Sequence, residues 1–387
     1  MNSSMEVDVR SLTFEMTKRL KIYLAKLVER KGSDLHIKAG ATVRGRVSGD
    51  IVEISSDIIS KEDALMLAKE LLRGRFGELV KQKSVDFVFR LNDYYNFRVN
   101  IFFQIGGVSC IFRSIPTKIP TIASLKLPSI INSFCSLNRG LVLVTGPTGS
   151  GKTTTLASII NEINKTKNKH IITIEDPVEF VFKDERSIVN QRSIGQDAHN
   201  FSDALRAALR EDPDIILVGE LRDLETIETA IHAAETGHLV FSTLHTSDAK
   251  ETIGRLINMF PGSEQNRIKL SLASILQGVI SQRLVKGVDG KRVAAVEVLV
   301  KNARIESLIL EDRESEIPDA IREGKTTYKT QTFDQALFEL YKNGIISKKE
   351  AYLNATNRND LKLKIDIYED EKVGSDKLKI GIKMAVR

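Results

Sequence analysis

Residues 146–153 read Gly-Pro-Thr-Gly-Ser-Gly-Lys-Thr, which meets the phosphate-loop pattern G-x-x-x-x-G-K-[ST] at every fixed position. Such a loop constrains the fold because it works only between a buried strand and a helix N-terminus. The flanks comply. Leu141–Thr145 is a short apolar run suited to a buried strand, and Thr154–Ile163 has helical apolar spacing. Gly146, Gly149 and Gly151 let the backbone curl so that successive N–H groups face one anion, and the helix N-terminus adds attraction for phosphate. The binding stretch expected is Gly146, Pro147, Thr148, Gly149, Ser150, Gly151, Lys152, Thr153 and Thr154. In it Lys152 reaches the β- and γ-phosphates of ATP, and the Thr153 hydroxyl holds Mg²⁺.

The 387 residues suggest two or three domains, and 42% hydrophobic residues provide for a sizeable core. No stretch approaches 18 uncharged apolar residues, so no transmembrane helix is expected. The acidic opening MNSSMEVDVRS lacks an apolar signal region, which predicts a cytoplasmic protein. Cys110 and Cys135, both in apolar surroundings, read as buried free thiols. The net charge of +6 permits an anionic partner without demanding one. A nucleic-acid motor would need stacking aromatics in a basic groove. With no tryptophan and 6% aromatics, no nucleic-acid partner is expected.

Along the chain, residues 1–16 read as a leader. Leu20, Tyr23, Leu24 and Leu27 share one face of a helix over 17–31, and Asp34–Lys38 alternates like a half-buried strand. A helical stretch over 61–82 precedes strand-like runs at 87–90, 97–103 and 108–113. Residues 17–113 therefore form an α+β domain. Pro116, Pro120 and Pro128 mark 114–128 as a hinge linker. From 129 to 300, apolar runs alternate with helical patterns, predicting an α/β domain with a largely parallel sheet. Residues 301–360 read as helical. In the tail, 361–387, Leu361, Leu363, Ile365 and Ile367 alternate with charged residues, as Leu378, Ile380, Ile382 and Met384 do with Lys and Gly. This period of two predicts a β-hairpin.

Three further segments carry chemistry. The run HIITIEDPVEF (170–180) ends a strand in acids, and Glu179, after Pro177, is placed to polarise an attacking water. In ALREDPDIILVGELRD (208–223), Glu220 closes a buried-strand run, as a Walker B acid supporting Mg²⁺ or the nucleophile does. In HAAETGHLVFSTLHT (232–246), His238 precedes a strand-like run and His245 follows it, where a polar residue can sense the γ-phosphate. Zinc is disfavoured at His232, Glu235 and His238, because Gly237 interrupts the helix and the usual i, i+4 histidine pair is missing. His232 reads as structural.

Together these segments resemble the secretion and type IV pilus motor ATPases, and within them the twitching-motility retraction (PilT/PilU) branch. The motif order is the same, namely phosphate loop, Asp box (TIEDPVEF), Walker B and His box (ETGHLVFSTLHT). The likeness extends to Gly-Ser-Asp-Leu-His at 32–36 and Phe-Arg-Ser-Ile-Pro at 112–116. It implies a PAS-like N-terminal domain, a RecA-like ATPase core, and a homo-hexamer with ATP between neighbours. It also implies an inner-membrane pilus platform protein as partner, a peripheral place at that membrane, and a paralogous pilus motor as a second partner. Glu179, Glu220, His238 and His245 match catalytic positions of the family, and Arg98 and Arg113 resemble arginines that reach nucleotide. The family's Ala-Ile-Arg-Asn-Leu-Ile-Arg-Glu helix is matched by Arg304–Glu311, where Glu306 and Leu310 replace both motif arginines. The alternatives are a RecA-like nucleic-acid motor and a regulatory subunit that only binds nucleotide.

Overall fold

The computed structural model describes residues 12–385 except 93, 116 and 117, with side-chain surroundings through residue 372. Residues 1–11 of the expected leader, 116–117 of the linker and 386–387 of the tail lie outside the described residues. Two compact units form. One is Met1–Ile119 with Ile174–Lys183 and Gln191–Ala204; the other is Pro120–Thr173 with Asp184–Asn190 and Leu205–Arg387.

The first unit opens with the helix Glu15–Glu29, whose Leu20, Tyr23, Leu24 and Leu27 are all buried. Its start is capped from a distance: the Thr17 amide and hydroxyl both donate to the Glu70 carboxylate, at 2.7 and 2.8 Å. Strands β1 (Asp34–Lys38), β2 (Ala41–Val47), β3 (Asp50–Ile59), β4 (Ser84–Arg90), β5 (Asn96–Gln104) and β6 (Gly107–Ile115) form a sheet in the order β3-β2-β1-β6-β5-β4. Leu20, Leu24, Leu27, Phe97 and Phe112 lie in its core. The sequence reading missed the β2–β3 hairpin. Its signal was Ser48-Gly49, both at positive φ (52° and 99°), as a two-residue turn between twisted strands requires. The helical stretch over 61–82 divides into Lys61–Leu72 and Phe76–Gln82, because Arg73 adopts φ 50° and breaks the ladder.

Strands β7 (Gly140–Thr145), β8 (His170–Glu175), β9 (Ile188–Ser193), β10 (Ile215–Val218), β11 (Leu239–Leu244), β12 (Leu276–Lys286) and β13 (Arg292–Val300) form a second sheet in the order β13-β12-β7-β11-β10-β8-β9. β7 pairs in parallel with β11 and β12, and β10 with β11, while β13 runs antiparallel to β12. Every residue of β7, β10 and β11 is buried. Burial on both faces explains why these strands read as unbroken apolar runs. Cys110 and Cys135 are buried and free, and burial pushes both thiols up to about 12. No described helix is long and apolar enough to cross a membrane.

Helices follow from Ala303, and Phe333–Lys342 starts with a capping box between Thr332 and Gln335. The tail departs from expectation. In place of a hairpin there is one helix, Arg358–Ala385. The reason lies in which apolar residues are used. Leu361 (2% exposed) and Ile365 (0%) enter a cluster with Val285, Phe333, Leu337 and Phe338, and Tyr368 packs against it. Those positions are i, i+4 and i+7, one face of a helix. Leu363 (63%) and Ile367 (51%), which a strand would have placed beside them, point to solvent. The Asp334 carboxylate accepts from the Thr356 and Asn357 amides at 2.7 and 2.8 Å, just ahead of this helix.

Leu361→Ala should therefore cost about 2–5 kcal/mol in urea unfolding, and Leu363→Ala less than about 0.5 kcal/mol. Equal losses from the two would be the hairpin's signature and would reject the helix.

Candidate active site

The site is built where strands end level. Thr145, the last residue of β7, is in register with Leu244 on β11 and Ser281 on β12. The Thr145 hydroxyl donates to Ser281 Oγ at 2.9 Å, a buried bond that ties the two strands just before the loop. At Gly146 (φ 140°) a Cβ would stand 2.4 Å from the Gln282 carbonyl oxygen and 2.7 Å from Ser150 Oγ, so only glycine lets the chain turn here. Gly151 (φ 92°) caps the helix Lys152–Thr166, so the N–H groups of its first turn, at Lys152, Thr153 and Thr154, point back toward the loop. Lys152 Nζ lies over the loop and donates to the carbonyls of Gly146 (2.8 Å) and Pro147 (3.2 Å). Pro147, Thr148 and Gly149 are exposed, while the Ser150 hydroxyl is buried without a hydrogen-bond partner. A curled backbone, helix N–H groups, an ammonium and an orphaned hydroxyl form a donor set that fits phosphate oxygens.

Gln282 was not singled out from the sequence. Its side chain is buried beneath the loop, and Nε2 donates to Thr155 Oγ1 in the first turns of the helix at 2.9 Å. The available signal was Ser281-Gln282-Arg283, a polar triplet interrupting a long apolar run.

The acid and histidine come together beside the loop. After β10 the chain turns through Gly219–Leu221, and β11 holds that turn. Thr243 Oγ1 donates to Gly219 O (2.7 Å), Ser242 Oγ to Val218 O (2.6 Å), and the Leu221 amide to Thr243 O (3.0 Å). This presents Glu220 Oε2 at 3.6 Å from His245 Nε2 and 2.5 Å from Arg222 Nε. The His245 imidazole is held below its ordinary value by burial first and then by the Lys152 charge, against the pull of Glu220. Arg222 is a second residue the sequence reading passed over.

The other expected residues are dispersed. Glu179 is exposed on the segment after β8. Nearby Gln191 donates from Nε2 to Glu175 Oε1 (3.2 Å) and to Phe180 O (2.8 Å), which shapes that segment. His238 stands at the opposite end of β11 from His245. Its Nδ1 is 3.0 Å from Ala233 O, and its carbonyl accepts from the Gly140 amide, where β7 begins. A six-residue strand, roughly 16–20 Å, separates it from the loop of its own chain. Arg98 and Arg113 are register partners on β5 and β6 of the first unit. Arg98 Nε lies 3.7 Å from Asp86. Arg113 Nε donates to the buried Asp34 at 2.8 Å although its own side chain is 71% exposed. Burial raises the Asp34 carboxyl, but the bonds from Arg113 and Ser33 outweigh it and leave the group below its ordinary value.

The family model described as "Type II/IV secretion system protein" matches residues 15–327. The type IV pilus retractation ATPase PilT of Pseudomonas aeruginosa is 44% identical over 332 residues, covering 85% of this chain and 95% of that protein. The type IV pilus ATPase PilU of the same organism is 37% identical over 346 residues, 88% of this chain and 90% of that one. Among solved structures, the pilus retraction motor PilT with bound ADP aligns with TM-score 0.81 at 44% identity, covering 89% of this chain and 98% of that one.

The Asp34 geometry carries a pH signature. Its folded pKa is depressed, so its contribution to stability is complete above the unfolded value and drains away as pH falls through the folded one. Wild type should lose its stability advantage over Asp34→Asn below about pH 4, in thermal melts recorded across the acid range. An advantage that persisted undiminished into strong acid would show that the pair contributes nothing through its charge.

Proposed function

The chain belongs to the type II/IV secretion system protein family, and we propose that it is an ATP-hydrolysing motor powering type IV pilus retraction. The observation that carries this reading is the phosphate loop with Lys152 beside the Glu220–His245 pair. Lys152 and the loop amides bind the phosphates, and Thr153 with Glu220 would hold Mg²⁺, which when bound neutralises phosphate charge. Glu179 orients and polarises the attacking water. His245 reads the γ-phosphate side, and Glu220 fixes its ring. We assign His238 no part in hydrolysis within its own subunit, because it stands at the far end of β11.

We further infer a homo-hexamer with nucleotide between subunits. Residues 17–113 form a PAS-like domain, 129–300 a RecA-like core, and 114–128 the hinge on which they turn. Arg98 and Arg113 act across the subunit boundary, where an arginine that neutralises transition-state charge is worth about 10³–10⁵ in rate. Arg113 suits the role, since Asp34 anchors a guanidinium that remains mostly exposed. The ring is cytoplasmic and works against an inner-membrane pilus platform protein, with no nucleic acid involved. A second reading, an accessory motor that assists a paralogous one, is favoured by one helix. On Ala303–Leu310, Glu306 pairs with Lys301 (3.4 Å) and Leu310 is exposed, where the retraction branch carries arginines.

The purified protein should hydrolyse ATP at the mass of a hexamer. Lys152→Ala should lose at least about 100-fold in rate, as should Glu220→Gln, the latter with ADP binding retained. Lys152→Ala hydrolysing at the wild-type rate would sink the reading. A wild-type monomer with little activity until a paralogous motor is added would establish the accessory role instead.

A further inference from the structure

One buried carboxylate takes no part in the chemistry above. Glu297, on β13, is 6% exposed. It is the register partner of Ser281, which is in turn the partner of Thr145, itself paired with Leu244. These four positions form one row across β13, β12, β7 and β11, at the sheet edge from which the phosphate loop and His245 emerge. Glu297 Oε1 accepts from the Ala249 amide at 3.0 Å, and Phe333, which lines the same cavity as Glu297, favours the charged form of this carboxylate through its backbone. Ala249 opens the helix Ala249–Asn258, and Phe333 opens Phe333–Lys342. The Ala249 amide is thus an orphan donor of a helix N-terminus, Phe333 begins a second helix beside the same carboxylate, and a carboxylate is the group such ends attract.

Ala249 lies four residues beyond His245. The intervening chain is short and held from its far side, where the Thr246 and Thr252 hydroxyls share a buried bond of 2.6 Å and the Asp248 carboxylate accepts from the Glu251 amide at 2.8 Å. Glu297 and Asp248 also border a cavity of about 270 Å³. Close packing on that side is incomplete, so hydrogen bonds carry more of the task of fixing the segment. Keeping an ionisable group in this setting is costly, and burial raises its carboxyl to about 7. An apolar residue of similar size would leave the Ala249 amide without this acceptor.

We propose that Glu297 is a positioning residue: by tethering Ala249 it sets the place of the His245–Asp248 segment beside the phosphates, and through Phe333 it joins that segment to the C-terminal helices. The inference rests on the hydrolysis reading above. Movement of the C-terminal helices then reaches His245 through one side chain.

The test compares wild type, Glu297→Gln and Glu297→Ala in steady-state ATP hydrolysis, ADP affinity and amide hydrogen exchange. Glu297→Ala should lower kcat about tenfold, the rate equivalent of one charge-assisted hydrogen bond, with KM for ATP and ADP affinity unchanged. Exchange at Ala249 should quicken about tenfold or more. Glu297→Gln keeps an acceptor for Ala249 and should retain most of the rate. A variant that loses thermal stability alone, with kcat and Ala249 exchange at wild-type values, overturns the proposal. So does a rise in KM at constant kcat. Should the alanine variant not fold, the wild-type protein decides. A non-hydrolysable ATP analogue should slow exchange at Ala249 and Phe333 together, and no change at either overturns the coupling. Wild type without any ATP hydrolysis refutes the function reading, whereas wild-type hydrolysis with an unaffected Glu297→Ala rate refutes only this inference.

Discussion

Strand β7 is hydrogen-bonded on both sides, to β11 and to β12, and none of its residues reaches solvent. A strand so enclosed has no freedom in register, because a slip of one residue would exchange its two buried faces. The phosphate loop inherits that rigidity. Gly146 turns against the Gln282 carbonyl of β12, and its amide donates to Leu244 O of β11. The curl of backbone amides is therefore set by strands on either side of it. A preorganised cluster of donors stabilises phosphate charge because it need not reorganise when the charge arrives.

The same enclosure explains how Glu220 and His245 meet. They are far apart along the chain but leave adjacent parallel strands, β10 and β11, at the same end. The turn carrying Glu220 is fixed by three bonds to Ser242 and Thr243 of β11. Arg222 and Lys152 then surround the pair with positive charge, which together with burial favours the neutral form of His245. Glu297 extends this logic to the sheet margin, where its carboxylate accepts the amide that opens the helix Ala249–Asn258 and lies beside Phe333, which opens another.

Much of this was legible in the residues. The phosphate loop, the apolar runs of β7, β10 and β11, and the acid after β10 all announce themselves, because strands buried on both faces have little compositional latitude. The helix Glu15–Glu29 and strands β1, β4, β5 and β6 were equally readable from periodicity. Gln282, Arg222 and Glu297 were not, since their significance depends on partners in other elements of the fold or on a turn whose shape another strand sets. His238 and His245 share one motif, yet β11 carries them to opposite ends, and a string of letters does not state which end faces the loop.

The tail marks the boundary most plainly. Leu361, Leu363, Ile365 and Ile367 satisfy a period of two, and Leu361, Ile365 and Tyr368 satisfy a period of 3.6. The choice fell to the cluster around Phe333, Leu337 and Phe338, which accepts one helical face and leaves Leu363 and Ile367 outside. The sequence by itself determined the phosphate chemistry and the strand–loop–helix unit around it, because local backbone geometry and two-sided burial admit few residues there. Tertiary structure alone decided which acid meets which histidine, where Arg113 is anchored, and which period the tail obeys. Those outcomes depend on packing and hydrogen bonds between segments distant in the chain, which local pattern does not encode.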